Sequence, residues 1–452
     1  MSAADLPRFQ FIGHALRGDG PFRPIVNDSA ADSQASLAST TALVRYPRES
    51  DAKFARRNQV AFYSSPLGQA CSRFTGFIAS RAPVRDVPHP LYSAIVDDAD
   101  GEGNALDAFW LRFMTEAKAR GSMLLLVDMP QMVDGTLADQ IARRAAPVWT
   151  AIEPELLTGF EIGDDGRFVW AEFSGTYTPQ GAAEPVPCVW RFDASSWHAR
   201  KAAQGGALLA DGPHQLGQCP LLIFTEGGRF PHFGPFSAIA DLARRLFNLD
   251  SELDEILRAQ TFSLLTMQVP ENSTGEQKLD AAKVAGTTIG TNNLLVHSGT
   301  TPAFIAPPDG PARVYLDRIA KIEERIDAIA LNVGQSAARE SGIALQMRFQ
   351  TLNAELARFS ARMEDLERNA WDLSRRWLAM QAAPAVSWPR DFNLLDVAAE
   401  LQILGDMRNN GMPEPVIAAQ MRRIVSQQFV GVDDESQAQI QAAIDQLQQS
   451  TA

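Results

Sequence analysis

Ten residues, Leu345, Phe349, Leu352, Leu356, Phe359, Met363, Leu366, Ala370, Leu373 and Trp377, follow one another at steps that alternate between four and three without an error. That is a 3.5-residue period, the seam of an α-helix packed along its whole length. A helix over about 338–380 would run on the order of 60 Å at ~1.5 Å per residue, too long to be one wall of a small domain. Helices with such seams need packing partners.

Two shorter seams precede it. Ile239, Leu242, Leu246, Leu249, Leu253 and Ile256 repeat at steps of three and four behind Gly234-Pro235. Tyr315, Ile319, Ile322, Ile326 and Ile329 do the same behind Asp309-Gly310-Pro311, where the proline suits a first helical turn. Between the two lies a stretch rich in Pro and Gly with strand-like Leu294-Leu295-Val296 and Ala303-Phe304-Ile305, which reads as a small inserted subdomain. Gly334 and Gly342 interrupt the helical run before the longest seam.

The first half is different in character. Residues 1–45 are rich in Ala, Ser, Asp and Gly with little periodicity and read as a partly disordered arm. Two short helices are expected from Asp51 to Ser80. An acidic turn, Asp97-Asp98-Ala99-Asp100-Gly101, leads into a helix carrying Leu106, Phe109, Phe113 and Ala117, then Gly121, then the apolar run Met123-Leu124-Leu125-Leu126-Val127. Helix, glycine and continuous apolar strand predict a buried strand in a mixed α/β layer. Between about 150 and 235 the signals are β-like, at Arg167–Trp170, Cys188–Phe192 and Leu221–Phe224. Beyond Pro384, Leu394, Val397, Leu401 and Leu404, then Val416, Ile417, Met421 and Ile424, mark a smaller helical region with a Gln-rich tail. The fold class is α+β, predominantly helical.

Composition narrows the function. At 452 residues there is room for two to four domains. With 41 Lys+Arg against 54 Asp+Glu the formal net charge is −13, which excludes a protein gripping nucleic acid by broad phosphate neutralisation. Cys71, Cys188 and Cys219 are odd in number and lack a CxxC, so a reducing, intracellular setting is expected. No apolar run approaches the ~18 residues of a membrane span, and the start of the chain lacks a signal-peptide pattern. A soluble protein is expected.

Chemistry finds little support. Asp98, Asp100, Glu102 and Gly103 match the first positions of a calcium loop, but Phe109 stands where the bidentate Glu belongs; a solvated turn capping the next helix is favoured. The six histidines contain no HExxH, and no phosphate-binding or nucleophile-elbow motif occurs. No catalytic residue, cofactor or metal site is expected, and an acid-base or metal hydrolase using Asp97, Asp98 and Asp100 is the weakest reading. Arg45, Arg48, Lys53, Arg56 and Arg57 read as a solvated helix face or a subunit contact. Trp371 and Trp377 could form a stacking platform, but core packing is favoured.

The order of parts resembles bacteriophage portal proteins, the head-to-tail connectors of tailed phages, from about Tyr46 to Val430. The carrying segments are Asp97–Val127 (DDADGEGNALDAFWLRFMTEAKARGSMLLLV), the succession from Phe236 to Met380, and GQSAARESGIALQMRFQTLNAELARF as the most family-like stretch. After the arm (1–45), the resemblance implies an α/β wing (46–235), a first stem helix (236–261), a small α/β clip (262–308), a second stem helix (309–331), a tunnel loop (332–342), a long helix (343–380) and a helical crown with a tail (381–452). The first 45 residues match nothing in the family, and only about 70 residues follow Met380, leaving no room for an extended C-terminal barrel.

The resemblance further implies a closed homo-oligomeric ring, a dodecamer, at one capsid vertex of a virion assembled in the host cytoplasm. A ring of identical subunits would supply the seam helices with partners by placing neighbours side by side. DNA would pass through it during packaging and ejection. Partners would be the major capsid protein, the packaging motor (terminase), neck or adaptor proteins and transient, non-specific double-stranded DNA, with no membrane. The chain itself would not be an enzyme, since the ATPase belongs to the motor. Leu246, Leu253, Ile322 and Ile326 are the expected stem-packing residues. Gln335, Ser336, Arg339 and Glu340 are the expected DNA-proximal tunnel-loop residues, with Arg339 nearest the phosphates. The alternative is a coiled-coil structural adaptor or minor capsid protein without a DNA channel.

Overall fold

The computed structural model describes residues 5–23, 41–129, 137–179, 184–203, 206–261, 264–268, 294–297, 304–305, 310–331, 342–392 and 397–428, together with 439 and 442–443. In chain order the helices are α1 (Asp5–Arg17), α2 (Asp51–Val60), α3 (Pro66–Ala79), α4 (Pro90–Asp97), α5 (Leu106–Arg120), α6 (Leu137–Ala142), α7 (Ser237–Thr261), α8 (Gly310–Leu331), α9 (Gly342–Trp377), α10 (Val397–Asn409) and α11 (Glu414–Gln428). The strands are β1 (Val84–Asp86), β2 (Ser122–Asp128), β3 (Val148–Ile152), β4 (Leu157–Ile162), β5 (Phe168–Tyr177), β6 (Val186–Phe192), β7 (Ser196–Lys201), β8 (Leu208–Pro213), β9 (Leu221–Thr225), β10 (Leu264–Gln268), β11 (Leu294–His297), β12 (Phe304–Ile305) and β13 (Ala385–Ser387). Helix and sheet are mixed, as an α+β chain requires.

The apolar run at 123–127 is the central strand of a three-stranded antiparallel sheet ordered β3-β2-β9. Both faces are covered, which is why the strand is continuous rather than alternating in hydrophobicity. Met123, Leu125 and Val127 enter a helical core built on α1, α3, α5, α7, α8 and α9. Leu124 and Leu126 point the other way, into a second cluster with Phe168, Phe173, Phe192 and Phe230, where the antiparallel five-stranded sheet β4-β5-β6-β7-β8 packs. Strands β4, β7 and β8 lack a clear sequence signal; β8 (LLADGP) is mostly exposed or half-buried.

The long seam forms α9, 36 residues from Gly342 to Trp377; the expected start near 338 lies outside the described residues. Leu352, Leu356, Phe359, Met363, Leu366, Ala370 and Leu373 are buried, so the helix finds its partners within the chain. Its end is closed by Ala379 at φ 52, with the Met380 N–H reaching back to the Arg375 carbonyl. Trp371 is fully buried and packs 4.9 Å from Trp149, which itself sits 5.6 Å from Trp110. Trp377 is partly buried and donates to the Val127 carbonyl at 3.0 Å. Core packing, not a stacking platform, is the role of both.

Two expectations are overturned. The supposed arm contains α1, whose Phe9, Ile12 and Ala15 are fully buried in the core; residues 24–40 lie outside the described residues. The apolar stripe of α1 is faint in the sequence because Gly13 and Ala15 occupy two of its buried positions. At Gly13 an added Cβ would meet the Arg120 guanidinium at 2.5 Å, so a larger apolar residue has no room there. The basic cluster is not simply a solvated face: Arg57 is 0% exposed, paired to Glu49 at 2.9 Å and stacked 4.4 Å from the Tyr46 ring. A buried guanidinium needs both its charge and its N–H groups satisfied, and Glu49 supplies two acceptors while the Val44 carbonyl supplies a third.

Two further buried charges tie distant segments together. Glu367 on α9, with no side-chain exposure, accepts from Arg85 of β1 at 2.5 Å and from the indoles of Trp371 and Trp388 at 3.0 and 2.7 Å. Lys118 on α5 pairs with Glu226, just after β9, and its ammonium lies 4.0, 4.3 and 5.6 Å from the ring centroids of Phe74, Phe236 and Phe359. One residue beyond α5, Gly121 adopts φ 81, and a Cβ there would sit 1.8 Å from the Gly234 nitrogen. Only glycine fits both the turn and the approach.

Lys118→Ala should leave Glu226 buried without its counter-charge and cost roughly 3–5 kcal/mol in urea unfolding, whereas Lys118→Met combined with Glu226→Gln should cost markedly less. Equal losses in the two variants would show that the pair contributes packing alone. A second expectation concerns Asp250 on α7. Burial, then the charges of Glu323 and Asp254, push its carboxyl from 3.8 up to about 6. The folded value lies above the unfolded one, so the folded chain holds the proton more tightly and stability falls as pH rises from about 4 through about 6. Asp250→Asn should remove that part of the slope and raise stability at pH 7, as read by urea midpoints of the unassembled subunit at pH 4.5 and 7.

Candidate assembly surface

Helices α7 and α8 pack against each other, and their seam is closed within one chain. Leu246, Leu253, Ile322 and Ile326 are 6%, 8%, 1% and 6% exposed. Three of them, Leu246, Ile322 and Ile326, belong to the same core cluster as α9. The side chains available to another molecule are therefore those flanking the seam. Between the two helices in sequence lies a small sheet ordered β11-β10-β12, with β10 parallel to β11 and antiparallel to β12. Gln335, Ser336, Arg339 and Glu340 lie outside the described residues.

Several contacts brace the pair against the first half of the chain. Asn248 on α7 accepts from the Val44 N–H at 2.7 Å and donates to the Ala42 carbonyl at 3.0 Å. Arg8 of α1 forms a two-pronged bond to Asp241, both contacts at 2.8 Å. Lys53 of α2 reaches Glu255 at 3.6 Å. Across the pair, the Tyr315 hydroxyl donates to Glu252 at 2.7 Å, which with burial raises the tyrosine's proton affinity. These bonds fix the pair by side chains from four separate segments.

Open space borders the pair on two sides. A groove of about 750 Å³ runs along Arg244, Arg245, Asn248 and Arg318, with Val44 at its edge. A cleft of about 280 Å³ lies between α3 and the pair, lined by Arg73, Leu246, Glu323 and Asp327. At the end of the described chain, Leu401, Ile403, Met412 and Val416 on and between α10 and α11 are exposed, while Ile417, Ala418 and Ile424 are buried.

The acidic turn binds itself. Asp98 accepts from the Gly103 N–H at 3.0 Å, and Asp100 from the Glu102 N–H at 3.1 Å and the Asn104 amide at 2.9 Å. Burial alone would raise the Asp100 carboxyl, but these bonds and Arg112 outweigh it and hold it below the ordinary carboxylate value. Contrary to the expected cap, Ala105 is the N-cap of α5 and no side chain caps that end. Among the described residues no group of three His, Cys, Asp or Glu is placed to hold a metal ion. The three cysteines are buried, and burial pushes the Cys219 thiol up to about 11. No described helix is long and apolar enough to cross a membrane.

No protein-family model and no curated protein matches the chain. Among solved structures it is similar to a chain in the virion of the native gene transfer agent particle, with 13% identity and a TM-score of 0.41, covering 77% of this chain and 86% of that one. A chain in the neck of the empty gene transfer agent particle, computed with C6 symmetry, gives 13% identity and a TM-score of 0.42 over 85% of this chain and 96% of that one. An HK97 family phage portal protein from Corynebacterium diphtheriae gives 11% identity and a TM-score of 0.33 over 76% of this chain and 98% of that one. At such identities and TM-scores the likeness assigns neither family nor function.

Proposed function

We propose that this chain is the subunit of a portal ring, a closed homo-oligomer of twelve copies at one vertex of a phage-type capsid, through which DNA enters at packaging and leaves at ejection. The observation that carries the reading is the α7–α8 pair. Its seam is satisfied within the chain, its flanks are charged and open, and it brackets a small sheet before the chain returns as a 36-residue helix through the core. That order of parts is the one the portal resemblance requires. A formal net charge of −13 suits a conduit, because a channel lined with strong phosphate binders would hold DNA rather than let it slide.

In this reading the virion is where the protein works, and the major capsid protein surrounds the ring. The packaging motor (terminase) docks on residues 262–308 and is later replaced by neck or adaptor proteins. The chain has no catalytic activity of its own. Residues 332–342 form the loop nearest the DNA, where Arg339 offers one screened phosphate contact per subunit and Glu340 keeps the local field close to neutral.

Negative-stain images of the purified protein should show closed rings with a central hole. Rods or dimers would instead favour a coiled-coil adaptor or minor capsid protein and reject the portal reading. Arg339→Ala should leave ring formation and thermal stability unchanged while altering DNA retention during packaging; a ring map with the Arg339 side chains turned away from the channel would refute the loop assignment.

A further inference from the structure

Helices α7 and α8 carry opposite charge on the two sides of their shared seam. At ~100° per residue, Arg318, Lys321 and Arg325 of α8 fall within an arc of about 60° on one side, and Glu323 and Asp327 fall on the other, with Glu324 at the back of the helix. On α7, Arg244 and Arg245 line the same groove as Arg318, together with the carboxylates of Asp241 and Glu252, while Asp250 and Asp254 lie on the side of Glu323. The basic character of one flank therefore comes mainly from α8, with Arg244 and Arg245 added by α7, and the other flank is acidic on both helices.

The basic flank is the 750 Å³ groove, and its guanidinium groups are uncommitted. Arg244, Arg245 and Arg318 form no ion pair among the described residues. The two carboxylates beside them are already engaged, Asp241 with Arg8 at 2.8 Å and Glu252 with the Tyr315 hydroxyl at 2.7 Å. On the acidic flank, Glu323, Asp250 and Asp254 have no cationic partner among the described residues, and Asp327 has only Arg73 at 3.9 Å. Burial first, and then the charges of Glu323 and Asp254, raise the Asp250 carboxyl, so like charges stand close together on this side. Each flank also exposes apolar side chains: Val44 and Val314 are 52% and 66% exposed beside the basic groove, and Leu257 and Leu316 are 45% and 54% exposed on the acidic side.

We propose that the basic groove of one copy receives the acidic flank of a second copy of the same chain, in a head-to-tail, charge-paired contact that sets the order of subunits around the ring. This deepens the portal reading and rests on it. Because the two surfaces differ, the contact is heterologous, so every copy offers one of each and the array closes when the rotation allows. Charge complementarity fixes the register and steers assembly, while Val44, Val314, Leu257 and Leu316 supply apolar contact area. It also gives these arginines and carboxylates the counter-charges they lack among the described residues.

The test is a charge reversal carried out on each flank of the full-length protein. One variant combines Arg244→Glu with Arg318→Glu; the other combines Asp254→Arg with Glu323→Arg. All four sites are solvent-exposed, and near-UV circular dichroism checks that the subunit fold is retained. Native mass spectrometry across a concentration series should show that each variant alone needs at least about tenfold more protein than the unaltered chain to form rings. Mixed in equal amounts, the acid-acid and base-base copies should alternate and recover rings. Normal assembly of either variant alone, or failure of two folded variants to recover rings on mixing, overturns the proposal while leaving the portal reading in place. An unaltered chain that never forms rings rejects both. Rings that form normally while the Arg244→Glu/Arg318→Glu variant loses affinity for short duplex DNA would assign the groove to nucleic acid instead and overturn the proposal.

Discussion

The ion pair between Lys118 and Glu226 sits where five parts of the molecule meet: α3, α5, the end of β9, the entry to α7, and α9. Removing these charges from water costs several kcal/mol per ion, recovered only where the two meet directly and the surroundings complement them. The three phenylalanine rings around the ammonium do this through their negative faces. Next to the pair, Gly121 and Gly234 bring two backbones into contact, and the Ser122 hydroxyl bonds both the carbonyl and the N–H of His232 at 2.6 and 2.9 Å. The direction in which α7 leaves the core is thereby held by buried polar contacts rather than by a connecting loop.

The same logic recurs across the chain. Glu367 holds β1, α9 and the segment around Trp388 together; Arg120 joins α5 to Glu155; Arg57 joins α2 to the turn at Glu49. Each is an interior charge whose partner lies elsewhere in sequence, 282 residues away for Arg85 and Glu367. Such a core is intolerant of single truncations, because removing one partner strands the other in a medium that cannot solvate it. Rigidity follows, and it suits the ring subunit proposed above.

A rigid subunit with a closed seam leaves assembly to its flanks. If α7 and α8 had needed neighbours to bury Leu246 or Ile322, the isolated chain would expose an apolar stripe and aggregate. Instead those residues are buried within the chain, and what remains outward is mostly charge of both signs, with Leu257, Val314 and Leu316 among it. Contacts of that kind are individually weak and salt-sensitive, and strong only when repeated. The proposed ring would repeat them at every interface, so that weak flanks could hold a stable assembly.

Hydrophobic periodicity is enough to place the three seam helices, the buried strand at 123–127 and the two helices between Asp51 and Ser80, because burial of one face or both is a local property written at a fixed spacing. Helix α1 is not legible in that way: its small buried residues, Gly13 and Ala15, blur the apolar stripe that marks an amphipathic helix. Arg57 looks like surface charge because a single basic residue carries no sign of whether a carboxylate will be folded over it. The sides of α8 are readable in part, since that helix alone groups Arg318, Lys321 and Arg325. Which flanks align, and which arginines are left without a partner, was decided only by the tertiary structure, for the physical reason that pairing depends on distance through space, and spacing along a chain fixes distance only within a few turns of one helix.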